Sequence, residues 1–113
     1  MSIAKQILMS AKLKIKDPQS WGQRHYATDV SGMPVYISSD HAVRFCLIGA
    51  VSRATRDRAR DVYGDEDEKN FDEACDALIA ALPKSFNGGL ALYNDSHSHR
   101  SVVRLINKAI NLL

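Results

Sequence analysis

Apolar residues return at three- and four-residue intervals along four stretches of the chain, a spacing that gathers them on one side of a helix. Residues 2–16 carry Ile3, Ile7, Leu8, Ala11 and Ile15 as such a face, with Lys5, Lys12, Lys14 and Lys16 mostly off it. Pro18 ends this helix, because the residue before a proline is disfavoured in helical geometry. Residues 40–58 give the broadest apolar side: Ala42, Phe45, Cys46, Gly49, Ala50 and Arg53, widened by Val43, Leu47 and Val51. With Ser39 or Asp40 as cap, this predicts a central helix whose first half is enclosed by its neighbours. Gly49 costs such a helix about 1 kcal/mol relative to alanine; the missing side chain lets another backbone come close. Residues 70–82 open on a capping box of Asn70 and Glu73, use Phe71, Ala74, Cys75, Leu78, Ile79 and Leu82 as their face, and stop at Pro83. Residues 98–112 follow a Ser96 or Ser98 cap and present Val102, Val103, Leu105, Ile106, Ala109 and Ile110.

The connecting segments lack that spacing. Trp21-Gly22 leads into two short extended pieces joined through Asp29–Gly32, which predicts a small hairpin whose Gly32 supplies a positive φ. Pro34 cannot donate to a ladder and belongs on an edge. Residues 64–69, Gly-Asp-Glu-Asp-Glu-Lys, read as a charged turn, and Lys84–Gly89 as a loop. The run from Leu90 to Asp95 is a short helical turn or an extended piece. The expectation is therefore a mainly α, compact four-helix domain, one unit over residues 1–113. Its central helix at 40–58 is covered by 2–16, 70–82 and 98–112, with a β-hairpin between the first and second helices. Trp21, Phe45, Cys46, Leu78 and Ile106 are expected in the core.

Composition narrows the function classes. A chain of 113 residues with 45% hydrophobic content supports one core. No apolar run approaches the ~20 residues that cross a bilayer, and the first ten residues are too polar for a signal sequence. A cytoplasmic location with no membrane partner is expected. Cys46 and Cys75 both fall on apolar helical sides, as buried thiols do. The formal charge is only +2, which gives no strong pull toward nucleic acid. It is unevenly placed: residues 1–63 hold ten Lys/Arg against five acids, and residues 64–83 one Lys against seven acids. Segregated charge suits a protein partner.

The chemistry-bearing residues support four readings, in descending order. The first is a non-enzymatic interaction or accessory protein, since phosphate-binding glycines, closed metal spacings and nucleophile elbows are absent from the sequence and no cofactor is implied. Here Trp21, Asp29, Arg44, Gly49 and Asp95 anchor loops, with the Arg44 guanidinium clamping the carboxylate of Asp29 or Asp95. The second is a cysteine-dependent hydrolase or transferase, with Cys46 as thiol, His97 or His99 as base, and Asn94 or Asp95 as orienting group. The third is a metal site of His97 and His99 with Asp95 and His41, for which no complete ligand set is visible. The fourth is nucleic-acid binding through a basic patch of Arg53, Arg56 and Arg60, extended by Arg100, Arg104 and Lys108.

Four segments carry a family resemblance: Trp21-Gly22-Gln23 after the first helix, Ala27 to Gly32, Ala42 to Ala50, and Leu92 to Asp95 followed by Val102 to Ile106. In this order the chain resembles DUF6197, small bacterial and phage-associated domains of unknown function, over roughly Ile7 to Ala109. Gly22 stands where a Cys or Thr is expected, and Tyr93 where a Trp or Phe is common. The resemblance implies the fold and carries no activity.

Overall fold

A computed structural model describes residues 2–59 and 62–113. The first helix, α1, spans Ile3–Ile15, with the Ser2 hydroxyl accepting from the Lys5 N–H. Its buried face is the one the apolar spacing picks out: Ala4, Ile7, Leu8, Ala11 and Ile15. Asp17 then caps a single 3₁₀ turn over Pro18–Ser20.

The next segment is irregular and contains a two-stranded antiparallel sheet. Strand β1 (Ala27–Thr28) pairs with β2 (Arg44–Phe45), Ala27 opposite Phe45 and Thr28 opposite Arg44. On the other side of β1 the chain turns through Asp29–Met33 and returns by an isolated bridge between Thr28 and Pro34. Gly32 takes a φ of +88° in that turn, and Pro34 lies on the outer edge.

Helix α2 spans Leu47–Arg58 rather than 40–58. The apolar spacing of Ala42 and Phe45 matched a helix, but pairing with β1 holds Arg44 and Phe45 extended, where β-branched and aromatic neighbours fit well. Ser39 caps a turn, accepting from the His41 N–H, and Cys46 becomes the N-cap of α2.

Helix α3 spans Asp65–Ala81 and begins five residues before the expected Asn70 cap. Its cap is Gly64, whose N–H donates to the Asp67 carboxylate. Asp65, Glu66, Asp67 and Glu68 form its first turn, where carboxylates complement the positive end of a helix. The charged turn is thus the start of the helix. The undecided stretch is helical, α4 (Leu90–Ser96), followed by α5 (His99–Asn111) capped by Ser98.

Five α-helices therefore stand among the described residues, against four expected. Helices α1, α2, α3 and α5 pack around one core that includes Leu8, Leu47, Val51, Leu78 and Ile106, all fully buried, with α4 set against α2. Phe45 and Cys46 are buried too. Trp21 and Cys75, expected inside, are only half-buried. No helix among the described residues is long and apolar enough to cross a membrane.

Candidate functional site

The irregular segment 21–45 is fastened to the helices by side chains, and Asn94 is the central fastener. It is 1% exposed, on α4. Its Oδ1 accepts from the Trp21 indole Nε1 at 2.7 Å and the Leu47 backbone N–H at 3.0 Å. Its Nδ2 donates to the Gly22 carbonyl and to Asp95 Oδ1, each at 3.1 Å. Leu47 is the first residue of α2, so its N–H has no intrahelical acceptor and takes one from Asn94. Gln23 adds bonds to the Asn94 and His97 carbonyls. Asp95 accepts from the Arg24 N–H at 2.8 Å and holds that residue at a φ of +73°.

Arg44 does not clamp a carboxylate. Its Nη1 donates to the Asp29 backbone carbonyl at 3.0 Å. The Asp29 carboxylate is already engaged, accepting from the Ser31 N–H and hydroxyl and from the Met33 N–H. Those bonds, the Ser31 hydroxyl first, hold its pKa below the ordinary value. Gly49 lies under the same segment: the Tyr26 carbonyl passes where a side chain would be and accepts from the Cys46 N–H at 3.3 Å.

Among the described residues Cys46 hydrogen-bonds to neither His97 nor His99. Cys46 lines a cavity of about 430 Å³ with Arg24, His25, Tyr26, Asn94 and Asp95. Its Sγ accepts from the Gly49 N–H at 3.3 Å. Burial raises the thiol pKa against the pull of the Gly49 and Ile48 amides, and the Asp95 charge raises it further. The proposed bases are elsewhere. His97 stacks on Tyr93 at 3.9 Å between ring centroids and shares Nδ1 with the Tyr93 carbonyl and Ser96. His99 Nε2 bonds the Ile15 carbonyl at 2.6 Å and its ring lies against Trp21. Asn94 and Asp95 orient loops and bond to neither ring's nitrogens. Among the described residues no three His, Cys, Asp or Glu side chains converge as metal ligands, so His41, Asp95, His97 and His99 do not form one site.

Of the basic residues proposed as a patch, Arg53 is engaged within the chain and Arg104 and Lys108 line one cleft on α5. Arg53 turns inward: Nη1 donates to the Ile37 carbonyl at 2.7 Å and the Ser39 carbonyl at 3.0 Å, and Nε pairs with Asp57. Arg56 lies 4.8 Å over the Tyr63 ring, and Arg60 falls outside the described residues.

What Arg44 and Arg53 do together escaped the sequence. Both donate to main-chain carbonyls of the segment 29–39 from below. The stretch 26–39 exposes Tyr26, Val30, Met33 and Tyr36, with Val30 81% and Tyr36 86% exposed. A shallow groove of about 570 Å³ along Pro34, Val35, Tyr36 and Ser39 shares Pro34 and Val35 with the Cys46 cavity. The signal was available in part: Arg53 occupies the apolar side of its helix, where a charge needs buried acceptors.

These fasteners, loop and helices all lie within residues 2–112, the span matched by one family's sequence model. The chain belongs to DUF6197, a family of unknown function. Neither a curated protein nor a solved structure matches it. Membership in DUF6197 brings no ligand or reaction to the site, so the function is argued from this geometry.

Proposed function

We propose that this DUF6197 chain is a non-enzymatic cytoplasmic interaction or accessory protein, in a bacterial or phage-associated setting, that binds a protein partner through the segment 26–43. The observation that carries this reading is a loop held rigid from beneath while exposing apolar and aromatic side chains above. Arg44, Arg53, Asp29 and the Gly49 notch fix its backbone. A loop already ordered before binding loses less entropy on association. Tyrosines such as Tyr26 and Tyr36 are among the side chains that dominate protein interfaces. Exposed apolar groups are ordinary when scattered; here four sit on one loop beside two grooves that share lining residues.

Cysteine-dependent catalysis has less support, because Cys46 has a raised pKa and both candidate bases are engaged elsewhere.

Pull-down from the native cell with wild-type and Tyr36→Ala/Met33→Ser baits tests the proposal. A protein retained by the first and lost with the second is expected. Identical retention by both baits, or no specific protein with either, refutes it.

A further inference from the structure

Two grooves of opposite charge flank the C-terminal end of α5, away from the loop 26–43. The first lies between α1 and α5 and encloses about 490 Å³. Its apolar part is Met9, Leu13 and Ile110, and Lys12 and Lys16 rim it. The second lies between α3 and the end of α5 and encloses about 420 Å³. Its apolar part is Ala77, Ala80, Leu112 and Leu113, and Glu73 and Asp76 rim it.

The rim charges are not ion-paired within the described residues, although Lys69 stands one turn before Glu73 and Asp17 follows Lys16. The ion pairs among the described residues are Lys14–Asp57 and Arg53–Asp57, and neither involves a rim residue. Helices α1 and α5 contain no Asp or Glu at all. Leu13 stands 72% exposed between Lys12 and Lys16, an apolar side chain projecting from a cationic ridge. The acidic groove offers the complement, an apolar floor with carboxylates beside it.

We propose that the chain self-associates by seating the Lys12–Leu13–Lys16 ridge of one copy in the Glu73/Asp76 groove of another. Leu13 covers the Ala77, Ala80 and Leu112 surface, and the lysines meet the carboxylates. Charge on the two faces sets orientation and excludes like-with-like docking. Because two different patches meet, the contact is heterologous. It is small and rimmed by exposed charge, so it is a salt-sensitive association.

Sedimentation velocity on the full chain tests this at about 20 mM and about 500 mM salt, between which screening rises steeply. A weight-average mass above one chain at low salt, falling toward one chain at high salt, is expected. Lys12→Glu/Lys16→Glu carries two acidic faces and Glu73→Lys/Asp76→Lys two basic ones. Each alone is expected to sediment as a single chain, and an equimolar mixture to recover association. If either reversal unfolds the chain by circular dichroism, Leu13→Ser replaces it and is expected to weaken association at least about tenfold. A single-chain mass for the wild type at low salt and high concentration overturns the proposal. So does a mixture of folded reversal variants that fails to associate. Wild-type chains that stay single but bind phosphatidylserine vesicles assign the cationic ridge to lipid, which also overturns it.

Discussion

Replacing Gly49 by alanine tests the link between loop and helix through the sign of its effect. Gly49 is the third residue of α2. In open space the change would stabilise the helix by up to about 1 kcal/mol. Here a Cβ would lie 2.8 Å from the Tyr26 carbonyl carbon and inside the contact distance of its oxygen. The obstacle is main chain, so no rotamer change relieves it. Overpacking of this kind costs about 1–3 kcal/mol. Displacing the Tyr26 carbonyl also weakens the bond it accepts from the Cys46 N–H, worth about 1 kcal/mol. The net expectation is a loss of about 1–3 kcal/mol, a fall in Tm on the order of 5–15 °C. Urea unfolding followed by Trp21 fluorescence measures it, with Gly89→Ala as control. Gly89 has nothing within 4 Å of its added Cβ and a negative φ; as the N-cap of α4 it loses only cap preference, so the control should cost no more than about 1 kcal/mol. A Gly49→Ala protein as stable as wild type, or more so, would refute the close approach and the loop anchoring built on it.

Further measurements probe the other fasteners. Asn94→Leu leaves the Leu47 N–H buried without an acceptor and the Trp21 indole partly so, and is expected to cost about 2–5 kcal/mol in the same urea assay. Iodoacetamide near pH 7 should label native Cys46 at least about tenfold more slowly than the urea-unfolded chain, because its pKa is raised by burial; equal rates would restore the catalytic thiol. Cys75 is pushed up to about 12, burial first and then Asp72 and Asp76. Its contribution to stability is therefore whole below the unfolded thiol pKa of about 8.5 and lost as pH rises through 12, and Cys75→Ala should flatten that alkaline slope. Burial raises the Asp57 pKa, but Lys14 and Arg53 outweigh it and the net shift is downward. Its stabilisation is present above about pH 4 and lost as pH falls through the lowered native value. Asp57→Asn should remove that acid dependence at a cost of about 0.5–1 kcal/mol, solvent screening included.

The helices with a clean apolar stripe were legible in the sequence: α1 and α5 lie within a residue or so of their expected limits. The helix starts that failed did so for identifiable reasons. Residues 40–45 have helical spacing, but their partner strand is some seventeen positions upstream, and local periodicity carries no record of it. At α3 the four acids looked like a solvated turn, although they suit the first turn of a helix electrostatically. For the site, Gly49 announced a close approach without naming the Tyr26 carbonyl that makes it. Arg44 meets the Asp29 carbonyl rather than the carboxylate of Asp29 or Asp95, because the tight turn uses the Asp29 carboxylate internally and Asp95 accepts from the Arg24 N–H, which a list of opposite charges does not reveal. Asn94, a buried polar residue after the apolar run Leu90–Tyr93, became intelligible only when its four bonds were in view.

The direction of those bonds separates stability from recognition. Residues 21–45 contain only two residues each of paired strand, so most of their main-chain groups must find partners outside a ladder. The partners come from the helix side: Asn94 and Asp95 from α4, Arg53 from α2, with Arg44 reaching across from β2. The outward side chains of Val30, Met33 and Tyr36 take no share in that fastening; Met33 and Tyr36 contribute main-chain groups only. Substitutions on the outer face can therefore change the proposed binding surface while leaving the loop's shape and the core intact. Substitutions beneath it act in the opposite way, losing the shape of the whole surface at once. Arg53→Met is the sharpest case. It keeps an unbranched apolar stem on the helix, but removes the guanidinium that lies over the Phe45 ring and leaves the Ile37 and Ser39 carbonyls without their shared donor. Hydrogen exchange should then rise through residues 37–42 and stay low in α1 and α5. The partner binding proposed for Tyr36 should then weaken although Tyr36 itself is unchanged. Uniform exchange in loop and helices would instead mean that Arg53 supports the core as a whole, and that the rigidity of the loop has another source.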